Sequence, residues 1–552
     1  MTQSPRRPAR TAPLVAPLVA PLVAGLAAAL ALSQLASAQT TAPAAAGTLA
    51  ERVQQIIGRP ELRHAIAGVA IYSLDTHTPL LAINADKLFV PGSTTKLLTM
   101  ATALDALGAD YRFHTRVYRT GPIAPDGTVN GDLVLVASGD PDLSARITAA
   151  DTLAFTDEDH SYGGSVDTRA VPGDPLLVLR ELARQVAAHH IRRVRGAVRV
   201  DASLFPQGDR ELGTGVVISP IVVNDNVVDV TVTPGRTTAA APTIAVAPAT
   251  PYVRFRVQAT TGAAGTAASI AFGADSALPD GSHIVTITGA APAGGSPVLY
   301  SYPVPDPRRF AEVAFTEALD EAGVTAHVTR TAAPAPPRAG GARAARDAAD
   351  LVAEHVSLPF AQEVKVTLKV SQNLHASMMP YLLSAVRGHA DSAPQAGFDM
   401  ERGFLERAKL DLSGAVQSDG AGGAAAFTPE FMVRFLTYMA SRPDYAVYLR
   451  ALPILGRDGT LAKIQVGVPA AGHVFAKTGT FVSDDALNRA LLVNGKGLAG
   501  YITTASGAHL VFAAYLNNVS VPRGPKGAES VGEALGEIAA AAYDAAVPPV
   551  RQ

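Results

Sequence analysis

Three short segments of the chain carry the residue types that acyl transfer needs. The first is Pro91-Gly92-Ser93-Thr94-Thr95-Lys96. A serine hydroxyl is a poor nucleophile at neutral pH and needs a base within hydrogen-bonding reach. Leu97, Met100, Ala101, Leu104 and Leu107 follow at helical spacing, with Gly108 as a stop. The spacing therefore predicts a helix whose first turn holds Ser93 and Lys96 on one face, about 5–6 Å apart at Cβ. The positive end of the helix dipole favours an oxyanion there and disfavours a protonated lysine. Burial lowers the proton affinity of the amine further and makes Lys96 a usable base. Alone, Ser-x-x-Lys is expected about once by chance in a chain this long. A serine N-cap beside a solvated lysine is the competing reading.

Two later segments supply partners. Ser371-Gln372-Asn373 follows the apolar Val364–Val370 run, which fits either a helix or a strand. The Ser371 hydroxyl can relay a proton between a base and a leaving amine, and the Asn373 amide can hold a carbonyl or the lysine. The alternative is a polar loop tip. Lys477-Thr478-Gly479-Thr480 lies on a strand that begins near His473. A strand edge beside a cleft can pair with an extended peptide through main-chain hydrogen bonds. Lys477 and Thr478 suit a carboxylate, and Gly479 permits close approach. The alternative is an ordinary sheet edge with a glycine bulge.

The elements that must position these segments follow from patterning. Gly68–Leu74 and Pro79–Ile83 read as a β-hairpin. From Tyr111 to His327 the texture is β-rich, with short strands at Val134–Val136, Val216–Ile218 and Val227–Val232 and one helix near Leu176–His190. Thr331–Arg346 reads as a linker, and helical patterns dominate from Ala348 to Ala451. Leu498–Ala505 and Leu510–Leu516 form a second hairpin, and Val531, Leu535, Ile538 and Ala542 mark a closing amphipathic helix. Both ends thus look like halves of one α/β domain with the middle inserted, an arrangement that is cheap at an exposed loop.

The bulk numbers agree. The 552 residues exceed one compact core, and a net charge of −2 gives no basic surplus for nucleic acid. Zero cysteines exclude disulfides, a thiol nucleophile and thiolate metal sites. Arg6, Arg7 and Arg10, an apolar run from Leu22 to Leu35, and Ala36-Ser37-Ala38 have the layout of a secretory signal peptide cleaved after Ala38. An uncleaved membrane anchor is the alternative. The mature chain is expected to be periplasmic, with no transmembrane segment.

All three motifs in this order are a specific signal of penicillin-interacting serine enzymes. About 280 residues separate Ser93 from Ser371, far more than in a typical serine β-lactamase. On these grounds the chain resembles the low-molecular-mass class C penicillin-binding proteins, D-alanyl-D-alanine carboxypeptidases/endopeptidases known for a large insertion at that place. Gly131-Asp132-Leu133, Gly139-Asp140-Pro141, Val200–Phe205, Asn224-Asp225-Asn226, Asp419-Gly420 and Asp458-Gly459-Thr460-Leu461 resemble further family segments. The resemblance implies an α/β (α+β) fold: a transpeptidase-like catalytic domain with a β-rich insertion of two subdomains. The boundaries expected are a signal peptide at 1–38, a catalytic domain at 48–110 and 346–552, one inserted domain at 111–136 and 216–345, and a second at 137–215. It also implies acylation of Ser93 and a base role for Lys96. Ser371, Asn373 and Lys477 would complete the catalytic set. Thr478, Gly479 and Thr480 would bind substrate, with an oxyanion hole at the amides of Ser93 and Thr480. Substrates would be peptidoglycan stem peptides ending in D-Ala-D-Ala, with β-lactams as mimics and no metal or organic cofactor. Oligomeric state stays open. Ala421-Gly422-Gly423-Ala424 replaces the family's usual Ser-Gly-Leu-Ser-Arg, Gln372 replaces a usual Asp, and Phe481–Lys496 is longer than expected.

A β-lactamase or esterase on the same scaffold, and an inactive wall-binding protein, are the rival readings. Asp157-Glu158-Asp159-His160 reads as a solvated acidic loop rather than a metal site, and His355 as a surface or helix-end residue. No His-Glu-x-x-His occurs, and Gly92-Ser93 lacks the second glycine of a Gly-x-Ser-x-Gly elbow. Asp142 is a candidate contact for an amino group of the wall peptide.

Overall fold

The sheet that carries the site is built from both ends of the chain. The computed structural model describes residues 47–144, 146, 152–329, 347–387 and 394–547. The expected leader through Ala38 and the Thr331–Arg346 linker lie outside them. Strands β1 (Ile66–Ser73), β2 (Thr78–Ile83), β3 (Val474–Asp485), β4 (Ala490–Thr503), β5 (His509–Asn517) and β6 (Val519–Pro522) form one six-stranded sheet in the order β3-β4-β5-β1-β2, with β6 also beside β4. All its pairings are antiparallel.

The run His509–Asn517 is almost wholly apolar because both faces of β5 are covered. Val511, Ala513 and Tyr515 point into one core, while Leu510, Phe512, Ala514 and Leu516 point into the other. The first core is closed by α1 (Lys96–Leu107), α2 (Phe360–Val370) and α3 (Asn373–Arg387), through residues such as Leu97, Met100, Phe360, Leu368, Met378 and Leu382. The second is closed by Leu49–Ile57 and by α4 (Pro525–Tyr543), whose Val531, Leu535 and Ile538 are buried. Lys96 through Leu104 are all buried, so α1 is enclosed on every side rather than amphipathic.

The middle of the chain adds a four-stranded sheet in the order Leu351–Val356, His114–Arg119, Leu133–Val136, Val198–Asp201. Helices Leu177–Ala188 and Pro307–Glu321 cover it. Three local expectations change. Val216–Ile218 makes a single bridge, Arg210 with Val217, and its apolar side chains serve the first core instead of a ladder. Leu351–Val356 is a strand within the span expected to be helical, and Pro307–Glu321 is a second helix in the β-rich stretch. The long Phe481–Lys496 segment simply extends the β3–β4 hairpin. Among the described residues no helix is long and apolar enough to cross a membrane.

Candidate active site

Ser93 sits on a 3-10 turn, Gly92–Thr95, immediately before α1. In a 3-10 turn, side chains at i and i+3 eclipse, which stacks Ser93 over Lys96 more closely than an α-helical turn would. Lys96 Nζ lies 2.6 Å from Ser93 Oγ and 2.6 Å from Asn373 Oδ1. Ser371 Oγ is 3.3 Å away and the Ala421 carbonyl 3.4 Å. The amine is fully buried, and burial lowers its pKa to about 7, against the opposing pull of Asp159, Glu211 and Asp419.

Ser371 and Asn373 reach this amine because the chain breaks between α2 and α3. Ser371 caps α2 in the left-handed region, at φ 67°. Only a residue in that conformation turns the chain sharply enough to start α3 two residues later, and holding a non-glycine there has a cost that surrounding packing must offset.

β3 runs along the other side of the nucleophile turn. A Cβ built on Gly479 would stand 1.9 Å from the Pro91 carbonyl and 3.1 Å from the Ser93 amide. One on Gly92, whose φ is +51°, would stand 2.5 Å from the Thr480 amide. Both positions therefore require glycine, which lets the backbone of β3 at Thr480 pass close to the turn that carries the Ser93 amide. Lys477 is fully buried, donates to the Thr478 carbonyl at 2.9 Å, and is held well below its ordinary pKa by burial and by the charges of Lys96 and Lys496. Thr478 Oγ1 donates to Thr460 Oγ1 at 2.7 Å, and Lys496 donates to Thr480 Oγ1 at 2.7 Å. Ser93, Ser371 and Asn373 thus gather around the Lys96 amine, and the Lys477–Thr480 stretch of β3 passes beside the turn that carries Ser93.

The Asp419–Ala424 loop closes the floor. The Asp419 carboxylate accepts from the amides of Ala421, Gly422, Gly423 and Ala424. A Cβ on Gly422 would lie 2.1 Å from the Gly92 carbonyl, which explains small residues in this segment.

Sequence reasoning missed the side chains that the middle of the chain sends into the cleft. Tyr162 Oη accepts from Asn373 Nδ2 at 2.8 Å while its ring edge faces solvent. Glu211 is buried within reach of Lys96's charge. The Asp157–His160 segment is not a solvated loop. Asp159 and His160 are both buried, Gln372 donates to Asp159 Oδ1 at 3.2 Å, and His160 lies between Asp225 and Asp229 at 2.6 and 2.9 Å. Its polarity reflects partners 65 to 213 residues away in the chain, which no local pattern reveals. His355 likewise lies on the Leu351–Val356 strand, largely enclosed, 4.0 Å from Asp140. Asp142 turns toward Glu363 and His375.

A serine hydroxyl in contact with a buried lysine whose pKa is lowered to about 7, beside a sheet edge, is the arrangement of a serine hydrolase. The chain belongs to the D-Ala-D-Ala carboxypeptidase 3 (S13) family, which it matches over residues 49–537. It is 29% identical over 462 residues to a D-alanyl-D-alanine carboxypeptidase of Actinomadura sp. (strain R39), covering 80% of this chain and 78% of that one. It is 23% identical over 445 residues to penicillin-sensitive carboxypeptidase A of Dictyostelium discoideum, covering 78% and 79%. Penicillin binding protein 4 of Haemophilus influenzae shares the fold with a TM-score of 0.67 at 19% identity, covering 89% of this chain and 99% of that one. The same protein has been solved with a β-lactam, at a TM-score of 0.65. The mixed helix–strand architecture is thus that of the penicillin-binding enzymes.

Proposed function

We propose that the enzyme cleaves the terminal D-Ala-D-Ala bond of peptidoglycan stem peptides through an acyl-enzyme on Ser93, and that β-lactams acylate the same oxygen. The observation that carries this reading is the 2.6 Å contact between Ser93 Oγ and a buried amine whose pKa lies near neutrality. Neutral Lys96 takes the Ser93 proton as Oγ attacks the penultimate D-Ala carbonyl. Negative charge on the carbonyl oxygen is met by the amides of Ser93 and Thr480. The proton passes from Lys96 by way of Ser371 Oγ to the departing D-Ala nitrogen, and the C–N bond breaks. Asn373 holds Lys96 and the substrate amide, while Lys477, Thr478 and Thr480 receive the terminal carboxylate and Gly479 admits the backbone. Water, deprotonated by Lys96, then frees the serine. Where the leaving amine belongs to a cross-linked side chain, the same steps make an endopeptidase.

Residues 48–110 and 346–552 form the catalytic part in this reading, supported by the sheet they share. Residues 111–136 with 216–345, and 137–215, are its two insertions. The chain is exported to the periplasm by its first 38 residues, as their layout indicates.

Mass spectrometry after incubation with penicillin, together with D-Ala release from a pentapeptide, tests the proposal. One adduct on wild type, none on Ser93→Ala, and D-Ala release are expected. Rapid β-lactam turnover without D-Ala release would make it a β-lactamase. Retention on peptidoglycan with no adduct would make it a scaffold.

A further inference from the structure

Behind the Ser371–Asn373 turn lies a buried group of side chains that the hydrolytic steps do not use. Asp142, Glu363 on α2 and His375 on α3 present one oxygen or nitrogen each, all within 4.8 Å of one another. His375 Nδ1 stands 3.3 Å from Glu363 Oε1. On the far side of the ring, Nε2–H donates to Asp225 Oδ1 at 3.0 Å, which leaves Nδ1 as the atom turned toward the two carboxylates. A histidine oriented by a carboxylate in this way is how metal-binding imidazoles are commonly held.

A second observation points to an occupant. Asp140 is 2% exposed, yet its Oδ2 has no hydrogen-bond partner, and the buried Glu363 and Asp142 set carboxylate oxygens against each other, within reach of one shared proton or one cation. Asp140, Asp142, His355 and Glu363 line one small cavity, and Asp142 also borders the neighbouring cavity with His375. Native proteins leave few such atoms unsatisfied.

We propose that Asp142, Glu363 and His375 bind one divalent cation of the zinc class. Mixed imidazole and carboxylate donors suit zinc or cobalt better than calcium. Bonds of about 2.0–2.2 Å require the three donors to draw in by about 1 Å. The ion displaces the proton on His375 Nδ1 and fastens the inserted segment to both helices that flank Ser371, Gln372 and Asn373. Its role is structural, and it touches no reacting atom.

The test uses the full mature protein, stripped with a chelator and titrated with zinc and, separately, cobalt. One equivalent of zinc, a raised thermal midpoint and a visible cobalt absorption band are expected. Asp142→Asn and His375→Gln should each weaken zinc binding at least about tenfold, and Asp225→Asn, which removes the carboxylate that orients His375 and also partners His160, by about 10–100-fold. Wild type that binds no stoichiometric zinc overturns the site, and this needs no variant to fold. So does an Asp142→Asn protein that binds zinc as wild type does. Penicillin labelling of Ser93 is measured in the same samples, so failure here is separable from failure of the hydrolytic reading.

Discussion

In the proposed mechanism Lys96 has to be both buried and basic, and the two demands would set the pH at which the enzyme works. Desolvation brings the amine to about 7, and three nearby carboxylates keep it from falling further. The base acts only without its proton, so kcat/KM for D-Ala release should fall about tenfold per pH unit below 7 and level off above it. A profile flat from pH 5 to 8 contradicts this. Lys96→Arg, whose guanidinium stays protonated, should lose at least about 10³-fold in acylation rate. Glu211 favours the protonated amine, so Glu211→Gln should move the acid limb of the profile to lower pH; a shift upward would show that Glu211 does not act on Lys96 through its charge. The nucleophile, base and strand residues were legible because each motif is local. Glu211, Tyr162 and Asp159 were not, since they converge on the cleft only through the tertiary path of the middle segment.

At the scale of elements, the site depends on two backbones approaching more closely than side chains allow. Gly479 on β3 and Gly92 on the 3-10 turn leave no room for a methyl group, with contacts of 1.9 and 2.5 Å to main-chain atoms. Gly479→Ala must push β3 away from the turn and separate the amides of Ser93 and Thr480. Loss of one oxyanion donor typically costs about 10²–10³-fold, and a drop of that size in the penicillin acylation rate is expected with Ser93 still slowly labelled. An unchanged rate would mean the two amides do not act together. Apolar runs bounded by turn and stop residues marked the hairpins and α1, which are buried on more than one face, while a one-sided repeat marked α4. Such patterning failed at Val216–Ile218, which is apolar because it is buried rather than paired, and at Leu351–Val356, whose pairing partner His114–Arg119 lies far back in the chain.

Across the whole molecule, the middle segment of the chain is tied to α3 by charge as well as by packing. Asp225 accepts from His160 at 2.6 Å and from His375 on α3 at 3.0 Å. Burial would lower the pKa of His160, but Asp229 and Asp225 outweigh it and raise it to about 10, so the ring remains charged at neutral pH. Removing Asp225 leaves buried imidazolium groups short of a counter-charge, an effect of about 3–5 kcal/mol when one partner of a buried pair is deleted. The described residues form one compact unit, and that loss is expected to spread beyond the middle segment. Calorimetry of Asp225→Ala should show a single transition several degrees below wild type, with penicillin labelling lost over the same temperature range. Two separated transitions, the upper one coinciding with wild type and retaining Ser93 labelling, would show instead that the insertion folds and melts on its own and that the catalytic part needs nothing from it.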